Sequence, residues 1–251
     1  MISKNDLKYY SSLLNKKFRQ SENKFIVEGE KIVNEGLQSN FACEVIFLSE
    51  DFAENNPGFV TLLKKKKQLF DIIKEKEFEK LSDTVNPQGV AAVFHKPKKQ
   101  IATDNDVMVA LENISDPGNV GTILRNCDWF GVKEIIMGEN CAEFYNPKTI
   151  RASMGSIFHI HINENEKLIN SLILIKSRGY RIICADLNGT NLFESKLDSK
   201  SVIVFSNEAN GPSAELLNLS DEIITIPKYG NAESLNVASA SAVILSHLLR
   251  N

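Results

Sequence analysis

Four cysteines, Cys43, Cys127, Cys141 and Cys184, are scattered over 251 residues, and no two of them form a Cys-x-x-Cys pair. That scarcity excludes a disulfide framework and a zinc site with recognisable spacing. Cys127 and Cys184 lie inside apolar patterns and read as small core residues. His159 and His161 alternate as they would on one face of a strand, but no third ligand has suitable spacing, so no metal is expected. No apolar run reaches the roughly 18 residues that cross a bilayer, and Met-Ile-Ser-Lys-Asn-Asp lacks the apolar region of a signal peptide. No membrane partner is expected, and a reducing cytoplasm is the simplest home. There is no Gly-x-Gly-x-x-Gly, which argues against a dinucleotide-dependent oxidoreductase, since Gly118-x-x-Gly121 does not meet that pattern. Internal repeats are absent, and the only biased tract is the lysine run 64–67.

Apolar residues make up 43% of the chain and charged residues 24%, the balance of a soluble globular protein with ample core for one large domain or two ordinary ones. The net charge of −3 shows no global affinity for nucleic acid, but the charge is uneven. Residues 1–100 hold 17 Lys+Arg against 14 Asp+Glu, and the remainder holds 12 against 18. A mildly basic front and an acidic back suggest two units with different partners.

The front alternates helix and strand. Leu7, Tyr10, Leu13, Leu14 and Phe18 repeat at helical spacing over 3–19, with Lys8, Lys16, Lys17 and Arg19 on the other faces. Strands are expected at 25–29, 43–48, 69–73 and 89–94, with helices around 31–37, 59–67 and 78–82. This is a small α/β layer. The polar stretch around 95–106 breaks the pattern, so the expected organisation is a domain over 1–95, a linker over 96–105 and a second domain over 106–251. In the second domain strands are expected at 107–112, 133–137, 157–162, 180–186, 201–206 and 222–227. Helices are expected at 118–130, 147–153, 165–178, 213–218 and 234–250. Nearly continuous apolar strands such as Ser201–Phe205 suit a parallel sheet covered on both faces.

Three segments follow strands of that sheet. After 107–112 comes Asp116-Pro-Gly-Asn119, where Asp116 can cap a helix, Pro117 suits its first position and Gly118 permits close approach. Arg125 lies six residues beyond Asn119. Amid Ile123, Leu124 and Trp129 it needs an anion, either a ligand or the partner in a buried salt bridge. After 201–206 comes Asn207-Glu-Ala-Asn-Gly211-Pro-Ser213, a glycine-bearing loop at a strand's carboxyl end, where α/β sheets bind ligands. Glu208 is its one acid. After 222–227 comes Lys228-Tyr-Gly-Asn-Ala-Glu-Ser234-Leu-Asn236, opening a long helix on which Ser234 or Asn236 can cap. Each loop alone reads equally as a cap or turn. Together they suggest one composite site.

In this order the three segments resemble the signature of the SpoU (TrmH) family of RNA ribose 2′-O-methyltransferases, which have the SPOUT fold. The resemblance covers most of the chain. It implies an α/β domain with a parallel sheet and a deep C-terminal trefoil knot, something ordinary fold rules do not predict. It also implies S-adenosylmethionine as cofactor and a homodimer. It assigns catalytic roles to Asn119, Arg125, Glu208, Ser234 and Asn236, and cofactor contacts to Ser206, Asn207, Gly211, Ile226, Pro227, Leu235 and Asn236. The second motif usually reads Gly-Asn-Glu-Gly-x-Gly in that family; here Ser206 and Ala209 depart from it. The front unit resembles the family's small RNA-binding domain, itself similar to a ribosomal protein. The matching residues are Lys17-Phe-Arg19, Phe25-Ile-Val-Glu-Gly29, Leu81-Ser-Asp-Thr84 and Pro87-Gln-Gly89. Lys16, Lys17 and Arg19 suit phosphate contacts. The expectation is methylation of a ribose 2′-hydroxyl in structured RNA, ribosomal ahead of transfer RNA, with no metal. The alternative is an RNA-binding protein of the same fold without catalysis.

Overall fold

The structure is a computed structural model that describes residues 2–97, 105–164, 167–197, 200–207 and 209–250. Most of the expected linker, 98–104, and the first two residues of the expected helix 165–178 lie outside the described residues. In chain order the elements are α1 (Lys4–Ser12), α2 (Lys16–Glu22), β1 (Lys24–Glu28), α3 (Glu30–Gln38), β2 (Cys43–Ser49), α4 (Glu50–Asn55), α5 (Pro57–Lys65), β3 (Phe70–Ile73), α6 (Glu75–Phe78) and β4 (Val90–His95). There follow β5 (Val107–Glu112), α7 (Pro117–Trp129), β6 (Glu134–Met137), α8 (Pro147–Ser153), β7 (His161–Glu164), α9 (Leu168–Lys176), β8 (Arg181–Asn191), β9 (Ser201–Ser206), α10 (Ala214–Leu219), β10 (Glu222–Thr225) and α11 (Val237–Leu248). The chain forms two compact units, Met1–Lys98 with Glu143–Phe158, and Lys99–Ala142 with His159–Asn251.

The first unit is a four-stranded mixed sheet in the order β1-β4-β2-β3. One face packs Ile26, Val45, Phe47, Ala91 and Val93 against Leu7 and Leu13. The other is aromatic: Phe25 stacks on Phe94 and meets Tyr145 and Phe158. These rings explain why residues 143–158 cluster with this unit, although the polarity break near 100 gives no hint of it. Gly36 completes the face, since a Cβ there would fall 2.4 Å from the Phe94 ring. The single helix expected over 3–19 is two helices. Asn15, in extended conformation, accepts a hydrogen bond from the Lys17 amide and restarts the chain as α2.

The second unit is a six-stranded parallel sheet in the order β10-β8-β9-β5-β6-β7. Met108, Ala110, Ile182, Cys184, Val202 and Val204 fill one face. Every residue of β9 is buried, as a strand covered on both sides requires. The strand expected at 157–162 is displaced: Ser156–Phe158 form a 3-10 turn and β7 begins at His161. His159 therefore lies outside the strand, its Nδ1 2.8 Å from Asp128 Oδ2, and does not share a face with His161. Among the described residues no helix is long and apolar enough to cross a membrane.

Candidate active site

All strands of the second sheet are parallel, so the loops after β5, β9 and β10 leave its same, carboxyl edge. The first loop is built as its residues dictate. Asp116 accepts a hydrogen bond from the Asn119 amide at 2.9 Å and Pro117 occupies the first turn of α7. Asn119 Oδ1 in turn accepts a hydrogen bond from Asn236 Nδ2 at 2.9 Å. Asn236 is the cap of α11, its Oδ1 receiving the Ala238 amide at 3.0 Å. The first and third segments, 117 residues apart, are thus joined side chain to side chain. A second tie lies about two turns further along α7. Asn126 Nδ2 donates to Ala238 O and Ser241 Oγ, both at 2.9 Å, and seats α11 on α7.

Arg125 is exposed, and among the described residues it makes no ion pair. Within this chain, the buried salt bridge that its apolar neighbours suggested is not made among the described residues. Ser234 and Leu235 are exposed, and Ile226 and Pro227 are half-buried along a segment, 226–236, that has neither helix nor strand. Glu208 lies outside the described residues.

The loop after β9 is held from beneath by a residue that no motif in the sequence singles out. Glu112, 7% exposed at the end of β5, accepts hydrogen bonds from Ser206 Oγ at 3.0 Å, the Ser213 amide at 3.0 Å and Ser213 Oγ at 2.6 Å. Within the loop, Asn207 Oδ1 accepts from the Ala209 amide at 2.8 Å, and the Gly211 amide donates to Asn207 O at 2.9 Å. Gly211 has φ +62°, a left-handed conformation that favours glycine.

Asp186 lies against Gly211; a Cβ on that glycine would be 3.5 Å from Asp186 Oδ2. Asp186 belongs to a stretch of β8 that leaves the ladder, because β10 pairs first with Cys184 and then with Thr190. Gly189 permits this, since a Cβ there would strike the Ile224 backbone at 2.5 Å. The two carboxylates are felt nearby. Burial first, then the charges of Glu112 and Asp186, push the Cys184 thiol up to about 12. A cavity of about 220 Å³ lined by Phe130, Lys133 and Leu249 lies beside the start of β5, away from these loops.

In the first unit the residues quoted for RNA divide. Lys16 and Lys17 are exposed. Arg19 is not available: it is 2% exposed, its Nε donates to Glu143 Oε1 at 3.1 Å and its Nη1 to Leu13 O at 2.8 Å. This removes Arg19 from the phosphate-contact set, because its donors are spent on an internal partner. The other family-like residues form a second internal lock. Buried Glu28 accepts hydrogen bonds from Ser82 Oγ at 2.6 Å, Thr84 Oγ1 at 3.4 Å and the Gln88 amide at 2.8 Å. Gly29 at φ +103° lets the Gln88 side chain lie against the backbone, where a Cβ would meet it at 2.6 Å.

The SpoU rRNA methylase family model matches residues 106–246, and the model of the MRM3-like substrate binding domain matches residues 4–92. The chain is 32% identical to the 23S rRNA (guanosine(2553)-2′-O)-methyltransferase RlmP of Bacillus subtilis, over 96% of this chain and 95% of that protein. A solved structure described as a putative RNA methyltransferase of the TrmH family from Porphyromonas gingivalis superposes with a TM-score of 0.86 at 30% identity, covering 98% of both chains. An AdoMet-bound rRNA methyltransferase from Sinorhizobium meliloti superposes with a TM-score of 0.84 at 25% identity, covering 98% of this chain and 95% of that one. With both units matched, and the three loops gathered at one edge of the sheet, the chain belongs to the SpoU rRNA methylase family.

Proposed function

We propose that this protein methylates a ribose 2′-hydroxyl of ribosomal RNA. The observation that carries the reading is an exposed Arg125, without an ion-pair partner among the described residues, on the helix whose Asn119 is bonded to Asn236 of the third loop. S-adenosylmethionine supplies an electrophilic methyl group on a sulfonium. The loops suit that molecule. Gly211 allows close backbone approach, Ile226, Pro227 and Leu235 offer apolar surface, and Glu112 and Asp186 place negative charge near a site for a cation. Ser206, Asn207 and Gly211 would hold the cofactor from one loop, and Ile226, Pro227, Leu235 and Asn236 from the other.

A ribose hydroxyl is a poor nucleophile and must be aligned and relieved of its proton. Arg125 is assigned to the ribose and its phosphate. An arginine stays protonated, so it acts by clamping the phosphate and stabilising the alkoxide, with the phosphate oxygen sharing the proton. Asn119 and Asn236, fixed by their mutual hydrogen bond, orient that arginine and the ribose; Ser234 and Glu208 complete the set.

The first unit, residues 1–95 in the proposed division, supplies RNA affinity, and 106–251 supply the chemistry. Lys16 and Lys17, with half-exposed Phe18 beside them, offer charge and a ring to a nucleic acid. Trp129 at the end of α7 is 81% exposed and Val243 of α11 is exposed too, and such exposed apolar side chains support a homodimer. The return of α11 onto α7 fits the knotted C-terminal segment of SPOUT proteins. The expected workplace is the cytoplasm.

The test is incubation of the full chain with radiolabelled S-adenosylmethionine and unmodified ribosomal RNA, followed by digestion to nucleosides. Label in a 2′-O-methyl nucleoside is expected. Label on a base would overturn the reading, and binding of RNA without any label would favour a non-catalytic RNA-binding protein.

A further inference from the structure

Glu112 is a buried carboxylate without a cation beside it among the described residues. Burying such a charge is costly unless donors surround it. Here the donors are Ser206 Oγ, Ser213 Oγ and the Ser213 amide, at 2.6 to 3.0 Å. Their placement is the informative part. Ser206 is the last residue of β9 and Ser213 the cap of α10, so one carboxylate joins the end of that strand to the start of that helix. In the ladder Glu112 lies directly opposite Ser206, which brings its carboxylate under the point where the loop leaves the sheet.

We propose that Glu112 is a positioning residue for methyl transfer: with Ser206 and Ser213 it forms a latch that fixes the end of β9 against the start of α10, and so sets Asn207 and Gly211 for cofactor binding. The proposal rests on the methyltransferase reading above. The latch acts before chemistry, on the geometry of the loop. Loosening it should weaken cofactor binding far more than it slows turnover at saturating cofactor. A glutamine at 112 keeps the shape but loses the charge and one of the acceptors, so the three donors can no longer all be satisfied.

The experiment is calorimetric titration of the full chain with S-adenosylmethionine, for wild type, Glu112→Gln, Ser206→Ala and the double variant, with methyl-transfer kinetics on Glu112→Gln. The expected result is about a tenfold weaker dissociation constant for Glu112→Gln. Its KM for cofactor should rise in step, and its kcat should fall by less than about threefold. Ser206→Ala should weaken binding about fivefold, and the double variant should be no weaker than Glu112→Gln, because both cut one latch. Additive effects, or a Glu112→Gln affinity within twofold of wild type, overturn the latch and leave the enzymatic reading standing. If Glu112→Gln does not fold, Ser206→Ala decides by itself, and an affinity within twofold of wild type overturns the proposal. Absence of binding by the wild type overturns the methyltransferase reading and the latch together.

Discussion

Buried Arg19 and exposed Arg125 show how the two units use the same residue type. In the first unit Arg19 gives its donors to Glu143 and Leu13 O, and Glu28 gathers Ser82, Thr84 and the Gln88 amide. Those polar groups are committed to holding the fold. In the second unit Arg125 and Ser234 are exposed, while Glu112 and Asn126 are the polar groups committed to internal hydrogen bonds. A basic residue within a family-like motif therefore does not by itself mark a contact with ligand. Whether its donors are already spent decides, because a buried guanidinium that left its carboxylate would leave an uncompensated charge behind.

The largest effect that could break this contrast is in catalysis. Arg125→Ala should lower methyl transfer by roughly 10³-fold, about 4 kcal/mol of barrier, with cofactor affinity within a few-fold and an unchanged melting temperature. Radiolabelled methyl incorporation, cofactor titration and thermal melts on one preparation check it. A loss of stability instead would place Arg125 with the structural arginines.

Arg19→Ala should do the opposite. Breaking a buried pair by removing one partner costs about 3–5 kcal/mol. The low end is expected here because Lys96 Nζ, 3.8 Å from Glu143 Oε1, remains as partial compensation. Denaturant unfolding of the full chain measures this, and cofactor affinity under native conditions should be unaffected. Glu28→Ala should cost less, about 1–3 kcal/mol, by leaving Ser82, Thr84 and the Gln88 amide without their acceptor, again read from unfolding curves.

Lys16→Ala with Lys17→Ala sharpens the comparison from the RNA side. For each phosphate no longer neutralised, the dependence of log affinity on log salt should flatten by about 0.7–0.9, with no change in melting temperature. An unchanged slope would mean this face does not touch RNA.

The last effect, small near neutral pH, concerns the thiols. Burial pushes Cys43 and Cys184 up to about 12 from an ordinary value near 9. Raised in the folded state, they remain neutral thiols as pH climbs through 9, whereas the unfolded thiols ionise. The folded chain should therefore resist a thiol reagent at pH 8 to 9 and be labelled at these positions on unfolding. Its stability should decline as pH rises from about 9 towards 12.

Much of the fold was legible. Period and capping residues placed β5, α7, β9 and α8 within one or two residues, and Asp116, Pro117 and Asn236 cap and start their helices as their chemistry implies. The break at Asn15 was not, because Leu13, Leu14 and Phe18 continue a helical period across it. The site was legible as three polar loops after strands. Its supports were hidden. Glu112 reads along the chain as an ordinary strand-end acid, and only the parallel pairing of β5 with β9 brings it under Ser206 and Ser213. Arg19 meets Glu143 across 124 residues, a pairing that no local pattern announces.

The most direct measurement is a map of ribose 2′-O-methylation across ribosomal RNA from cells lacking this protein, complemented with wild type or Arg125→Ala. A single methylated ribose that disappears, returns with wild type and stays absent with the stably folded variant is the predicted result. Restoration by Arg125→Ala, or an unaltered map in cells without the protein, would contradict it.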